Sequence, residues 1–174
     1  FLLKLLSGNS PEVRETDYTT QDLQEYIENK RIKQSNSIDI SKNQELYKLK
    51  EDFHKEWPVE RIRTMSLEEY TNLDKTSFCY WLEAVTTDLG SIWGGSAYKF
   101  GIFKRREITS DNYNEKRKSD GVYSWYGKYG DDSQSVFLKI KEIILNIVDN
   151  TQQNNLEAID NIDLGNAYKW KIAF

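Results

Sequence analysis

The sequence predicts an α+β domain: a small mixed or antiparallel sheet packed with helices, preceded by a helical N-terminal segment. Three observations lead there. Apolar residues recur at helical spacing early in the chain and again over residues 133–149. Two aromatic runs, 98–103 and 122–126, read as strands beside glycines. Helical segments come first, and strands and helices interleave afterwards. The organisation expected is a helical extension over residues 1–40 and an α+β domain over 41–174.

Residues 1–6 form a short apolar helix or strand, closed by Ser7-Gly8-Asn9-Ser10-Pro11. Residues 12–19 read as a connector. Thr20 is placed to cap a helix to about Gln34, with Leu23, Tyr26, Ile27 and Ile32 as a weak stripe. A polar break over 34–39 follows. Ser41 caps a stronger helix whose Leu46, Leu49, Phe53 and Trp57 share one face. Pro58 ends it, since proline lacks the amide that a helix interior needs. Ser66-Leu67-Glu68-Glu69 has the spacing of a capping box and opens a short helix. A further helix is expected from Ser77 to Asp88, stopped by Gly90. Trp93-Gly94-Gly95 is a turn into a strand, Tyr98 to Phe103. Residues 107–120 read as a mobile polar loop, Val122 to Tyr126 as a second strand. Ser133 to Asp149 is the clearest helix, with Val136, Phe137, Ile140, Ile143, Ile144 and Ile147 inward. Leu156 to Ile162 reads as a short helix and Tyr168 to Phe174 as a third strand.

Composition narrows the function classes. Charged residues are 30% of the chain and the net charge is −4, which argues against a surface coated in basic charge. Residues 91–130 nevertheless carry eight Lys or Arg against four Asp or Glu, a local stripe able to meet phosphate. Such a stripe is equally readable as a solvated loop of mixed charge. The single Cys79 cannot form an internal disulfide, which points to a reducing, cytoplasmic setting. It sits in an apolar run, as an inert buried thiol does. With one His and one Cys, a structural zinc site is not expected, and no cofactor is called for. No apolar run approaches the ~18–20 residues of a membrane span. The chain reads as a piece of a longer protein.

The run SFCYWLE…LGSIWGGSAYKFGIFKR, over residues 77–105, resembles the N-terminal region of McrB-type proteins, the AAA+ NTPase subunits of modification-dependent restriction systems. Two flanking pieces fit the same pattern. One is Trp57-Pro58-Val59-Glu60 leading to Leu67-Glu68-Glu69-Tyr70-Thr71; the other is Leu156-Glu157-Ala158-Ile159-Asp160 leading to Lys169-Trp170-Lys171-Ile172-Ala173-Phe174. The resemblance covers roughly residues 53–174. It implies a noncatalytic DNA-recognition domain of a phage-defence protein, with the NTPase motor beyond residue 174 and cleavage left to a separate nuclease subunit. The alternatives are a protein-interaction domain that assembles such a complex and a metal-dependent nuclease.

In Trp93-Gly94-Gly95-Ser96, glycines expose amides to a phosphate and Trp93 can stack on a base. A tight turn with a packed Trp93 is the plain alternative. The loop is not a P-loop, because the Gly-Lys-Ser/Thr ending is missing. Lys99 lies within the first strand, Lys104, Arg105 and Arg106 follow it directly, and Lys116, Arg117 and Lys118 lie in the next loop, so the two basic groups are candidates for the phosphates of one ligand. Trp125, Tyr126 and Tyr129, with Lys128 among them, make a second aromatic-basic cluster. Trp93 and Trp125 together are expected to wall a pocket for a flipped, modified base; packing on the sheet face is the plain alternative. Glu157, Asp160, Asp163, Lys169 and Lys171 offer nuclease residue types, but in an order unlike a strand-borne Asp…Glu-x-Lys site. A lone His on a charged helix leaves no hydrolase triad.

Overall fold

The computed structural model describes residues 19–36, 40–107 and 116–174. The segment at 1–6, most of the connector at 12–19, residues 37–39 of the polar break and residues 108–115 of the expected loop lie outside them. The chain divides into two compact units between Glu45 and Leu46.

In the first unit, α1 spans Thr20–Asn36. Its cap is Thr19, one residue before the one expected. The Thr19 Oγ1 accepts from the Asp22 amide at 3.2 Å, and the Asp22 carboxylate accepts from the Thr19 amide at 2.7 Å. Helix α2, Ile40–Glu56, carries the division between the units.

The second unit is α+β. The helices α3 (Val59–Thr64) and α4 (Leu67–Tyr70) follow, and α4 opens on the expected capping box between Ser66 and Glu69. The helix expected over 77–88 is broken into three turns. An α turn, α5 (Phe78–Tyr80), passes into a π turn (Trp81–Val85) and then a 3₁₀ turn (Thr87–Leu89). Thr86 is the cause: its hydroxyl donates to the carbonyls of Trp81 and Leu82, both at 3.1 Å, and its amide reaches back to Trp81.

The sheet has three short strands, β1 (Ile102–Lys104), β2 (Arg117–Ser119) and β3 (Tyr123–Tyr126), in the order β1-β3-β2, all antiparallel neighbours. The strand expected from Tyr98 begins only at Ile102. Ala97–Phe100 is a 3₁₀ turn, ended by Gly101 at φ +80°, a conformation that side chains disfavour. A Cβ at Gly101 would also sit 2.4 Å from the Ile140 Cδ1, so the turn lies directly against the main helix. Strand β2 falls in the stretch expected to be loop.

That main helix is α6, Ser133–Gln152, capped by Asp132. Val136, Phe137, Ile140, Ile144 and Ile147 are buried as expected, with Ile143 partly so, and they pack with Ile102 and Trp125 from the sheet. Helix α7 (Leu156–Asp160) leads to α8 (Asn166–Ala173). The third strand expected at 168–174 is therefore helix α8. Its apolar-polar alternation misled because two lysines do inward work. Lys169 is buried and donates to the carbonyls of Asp160 and Ile162 at 2.6 and 3.2 Å; Lys171 donates to Thr86 and to Gly90, the latter at 2.7 Å. These bonds tie α8 to the backbone of α7 and of the broken helix. Among the described residues no helix is long and apolar enough to cross a membrane.

Candidate nucleic-acid interface

The loop between the broken helix and the 3₁₀ turn is anchored at both ends. Ile92 is buried in the core, and the Trp93 amide donates to Ser91 Oγ at 3.2 Å. Gly94 and Gly95 both take positive φ, +93° and +69°. Ser96 caps the following turn, its Oγ accepting from the Tyr98 amide. Between these anchors Trp93 stands 75% exposed. An exposed indole of that extent on a tethered turn forgoes the burial that aromatics normally gain.

Beneath the loop lies a cavity of about 570 Å³. Trp93, Tyr80 and Phe103 supply aromatic wall, and Lys75, Lys104 and Arg106 stand at its rim. Phe100 and Cys79 close it towards the core. The Cys79 thiol is buried against Tyr168, 3.8 Å away, and burial pushes its pKa up to about 12. It is thus held neutral and inert, unlike a nucleophilic thiol. Lys104 is already paired: its ammonium meets both Glu68 oxygens at 2.7 and 2.9 Å. That bond, with another from the Tyr123 hydroxyl, draws the Glu68 carboxyl below its usual range.

A second, larger groove, about 1030 Å³, opens on the other side of the same turn. Ser96, Lys99, Lys116 and Lys128 line it with Tyr98, Tyr126 and Tyr129. Tyr98 and Tyr126 rings lie 4.9 Å apart, and the Arg117 guanidinium sits 4.9 Å over Tyr98. Lys128 pairs with Asp163 at 2.8 Å; burial alone would lower its pKa, but Asp163 and Tyr129 together outweigh that and the pKa is raised.

The structure thus divides the expected site residues. Trp93, Lys104 and Arg106 meet at the first cavity, while Ser96, Lys99, Lys116 and Lys128 meet at the second, with Gly94 and Gly95 between. Arg105 turns to Ser124 Oγ, 3.1 Å, and Lys118 pairs with Asp131. One expectation needs correction. Trp125 is 2% exposed, sits opposite Ile102 on the core face and donates its indole N–H to the Gly130 carbonyl. It cannot face Trp93 across a ligand. The two basic tripeptides lie on the two strands that flank β3. Strands β1 and β2 both run antiparallel to β3; one tripeptide begins at the end of β1 and the other enters β2. Lys104 therefore pairs with Tyr123 and Arg117 with Tyr126, about 10 Å apart along β3.

Tyr80 and Phe103 were not among the expected site residues. Period-2 alternation does place Phe103 opposite to Ile102, which was the available signal. Tyr80 had none, because the apolar run around it reads as core. Of the nuclease residue types, Lys169 and Lys171 hold backbone carbonyls and Asp163 pairs with Lys128. Among the described residues no cluster of three or more His, Cys, Asp or Glu is arranged to hold a metal ion. No protein-family model, curated protein or solved structure matches the chain.

Proposed function

We propose that the domain recognises DNA without catalysing its cleavage, holding one unstacked base in the cavity under Trp93. The observation that carries this reading is the exposed Trp93 on a braced Gly-Gly turn, set over an aromatic-walled cavity with Lys75, Lys104 and Arg106 at its rim. An extruded base loses its stacking partners, and aromatic faces in a closed site replace them. A cavity within the roughly 300–1,000 Å³ range of small-ligand sites has room for a base and a substituent on it. The proposed setting is the N-terminal recognition module of a McrB-like restriction NTPase in the cytoplasm, working with a separate nuclease subunit.

Tryptophan is also enriched among the anchor residues of protein interfaces. The assembly reading therefore stands second. Titration of labelled DNA, modified and unmodified, separates them. Binding that weakens with salt and differs between the two DNAs is the expected result. No binding to either DNA would leave the assembly role.

A further inference from the structure

We infer that the tyrosine-lined groove holds an unpaired nucleotide next to the base in the Trp93 cavity, so that the ligand runs through the domain as a single strand. The inference rests on the base-reading proposal and adds the class of its substrate. One piece of chain forms the wall between the two cavities. Trp93, Ala97 and Phe100 face the first, while Ser96, Tyr98 and Lys99 face the second. Two neighbouring nucleotides of one strand can each occupy a cavity only when neither base is paired, because a duplex keeps its bases turned inward.

The character of the groove suits a nucleotide. Tyr126 and Tyr129 are half-buried and offer ring surface, and stacking on such rings is independent of base identity. Ser96 and Asn166 add polar groups, and Lys116 lines the groove beside Lys128, which Asp163 holds. The electrostatics point the same way. Lys99, Lys104, Lys118 and Lys128 are each paired with a carboxylate: Glu83, Glu68, Asp131 and Asp163. Duplex binding draws chiefly on unneutralised cations, whereas single-strand binding draws also on stacking.

The test is fluorescence anisotropy on this chain with a labelled single strand of about twelve nucleotides and the same sequence as a blunt duplex. The single strand is expected to bind at least about tenfold tighter than the duplex, with Tyr126→Leu and Lys128→Glu each weakening it by about tenfold. Lys128 lies on the surface, so its variant keeps the test valid if Tyr126→Leu unfolds. A duplex bound as tightly as the single strand overturns the inference. So does a single-strand affinity left unchanged by both groove variants while Trp93→Ala abolishes it, a result that leaves the Trp93 cavity standing. Failure of both DNAs to bind removes the base-reading proposal and this inference together.

Discussion

Lys99 and Glu83 together hold the loop that carries Trp93. The Lys99 ammonium pairs with the Glu83 carboxylate and donates to the carbonyls of Ile92 and Gly94 at 2.7 and 3.0 Å. It thus grips the loop on both sides of Trp93. Glu83 reaches this point from the π turn, so the irregular helix and the exposed indole belong to one arrangement. Both side chains are mostly shielded from solvent, which makes the pair stronger than a surface one.

Replacing Lys99 by Met keeps the aliphatic stem and removes all three bonds. The expected loss is about 1–3 kcal/mol in denaturant melts, since the carboxylate and two carbonyls lose a charged donor. DNA affinity should fall further than it does in core substitutions of equal stability cost. A variant with native stability would show that the loop holds itself.

The two tryptophans should separate cleanly. Trp93→Ala is expected to cost about 1–3 kcal/mol of binding, the worth of one stacked base. Its effect on thermal melting should be small, because the ring is exposed. Trp125→Ala is expected to lose about 3–5 kcal/mol of stability, the cost of emptying a large core site. Comparable stability losses in both would place Trp93 in the architecture rather than in recognition.

The core was legible in the sequence and the irregular parts were not. The Ile140, Ile144 and Ile147 stripe has a strict helical period, and burial follows directly from it. The capping box at Ser66 is a local motif and was equally readable. Helix α8 was not, because Lys169 and Lys171 look like the solvent side of a strand until their distant carbonyl partners are known. The same holds at the site. Exposure of Trp93 followed from its place beside two glycines. The separation of the two basic tripeptides depends on strand order, a non-local property that spacing does not carry. Trp125 differs from Tyr126 by one position, and that single step exchanges core face for outer face.

The packing of the turn on α6 gives a paired prediction. Ile144→Ala should cost about 2–4 kcal/mol, since the side chain is fully buried in the helix stripe. Gly101→Ala should destabilise as well, for two additive reasons: positive φ, and a Cβ inside contact distance of Ile140. Combining Gly101→Ala with Ile140→Val should recover part of that loss, because the smaller side chain removes the Cδ1 contact. Chemical denaturation of the two single variants and the double variant measures the recovery. None at all would leave the cost with backbone conformation and the remaining Cγ1 contact at 2.9 Å.

The buried cluster of Cys79, Tyr70 and Tyr168 predicts a fall in stability at high pH. Tyr70 donates to the Phe100 carbonyl at 2.6 Å and lies 3.1 Å from the Tyr168 hydroxyl, which in turn meets the thiol. Burial raises all three pKa values, that of Cys79 from about 9 to about 12. The sign follows from proton counting. Below pH 8 the three groups are neutral in both states, so they make no contribution to pH dependence. Above the ordinary thiol pKa near 9 the unfolded chain gives up protons that the folded chain retains. Unfolding is then favoured, and each group lowers stability by about 1.4 kcal/mol per pH unit once inside its window. For Cys79 the loss accumulates as pH rises from about 9 to about 12 and then levels. Cys79→Ala deletes that contribution, so its stability should fall less steeply between these limits than that of the parent. In the parent at pH 8, a thiol reagent should label Cys79 only as fast as the protein opens. Parallel urea melts at stepped pH provide the comparison. Identical slopes in parent and variant would mean that the thiol is not held neutral by the fold.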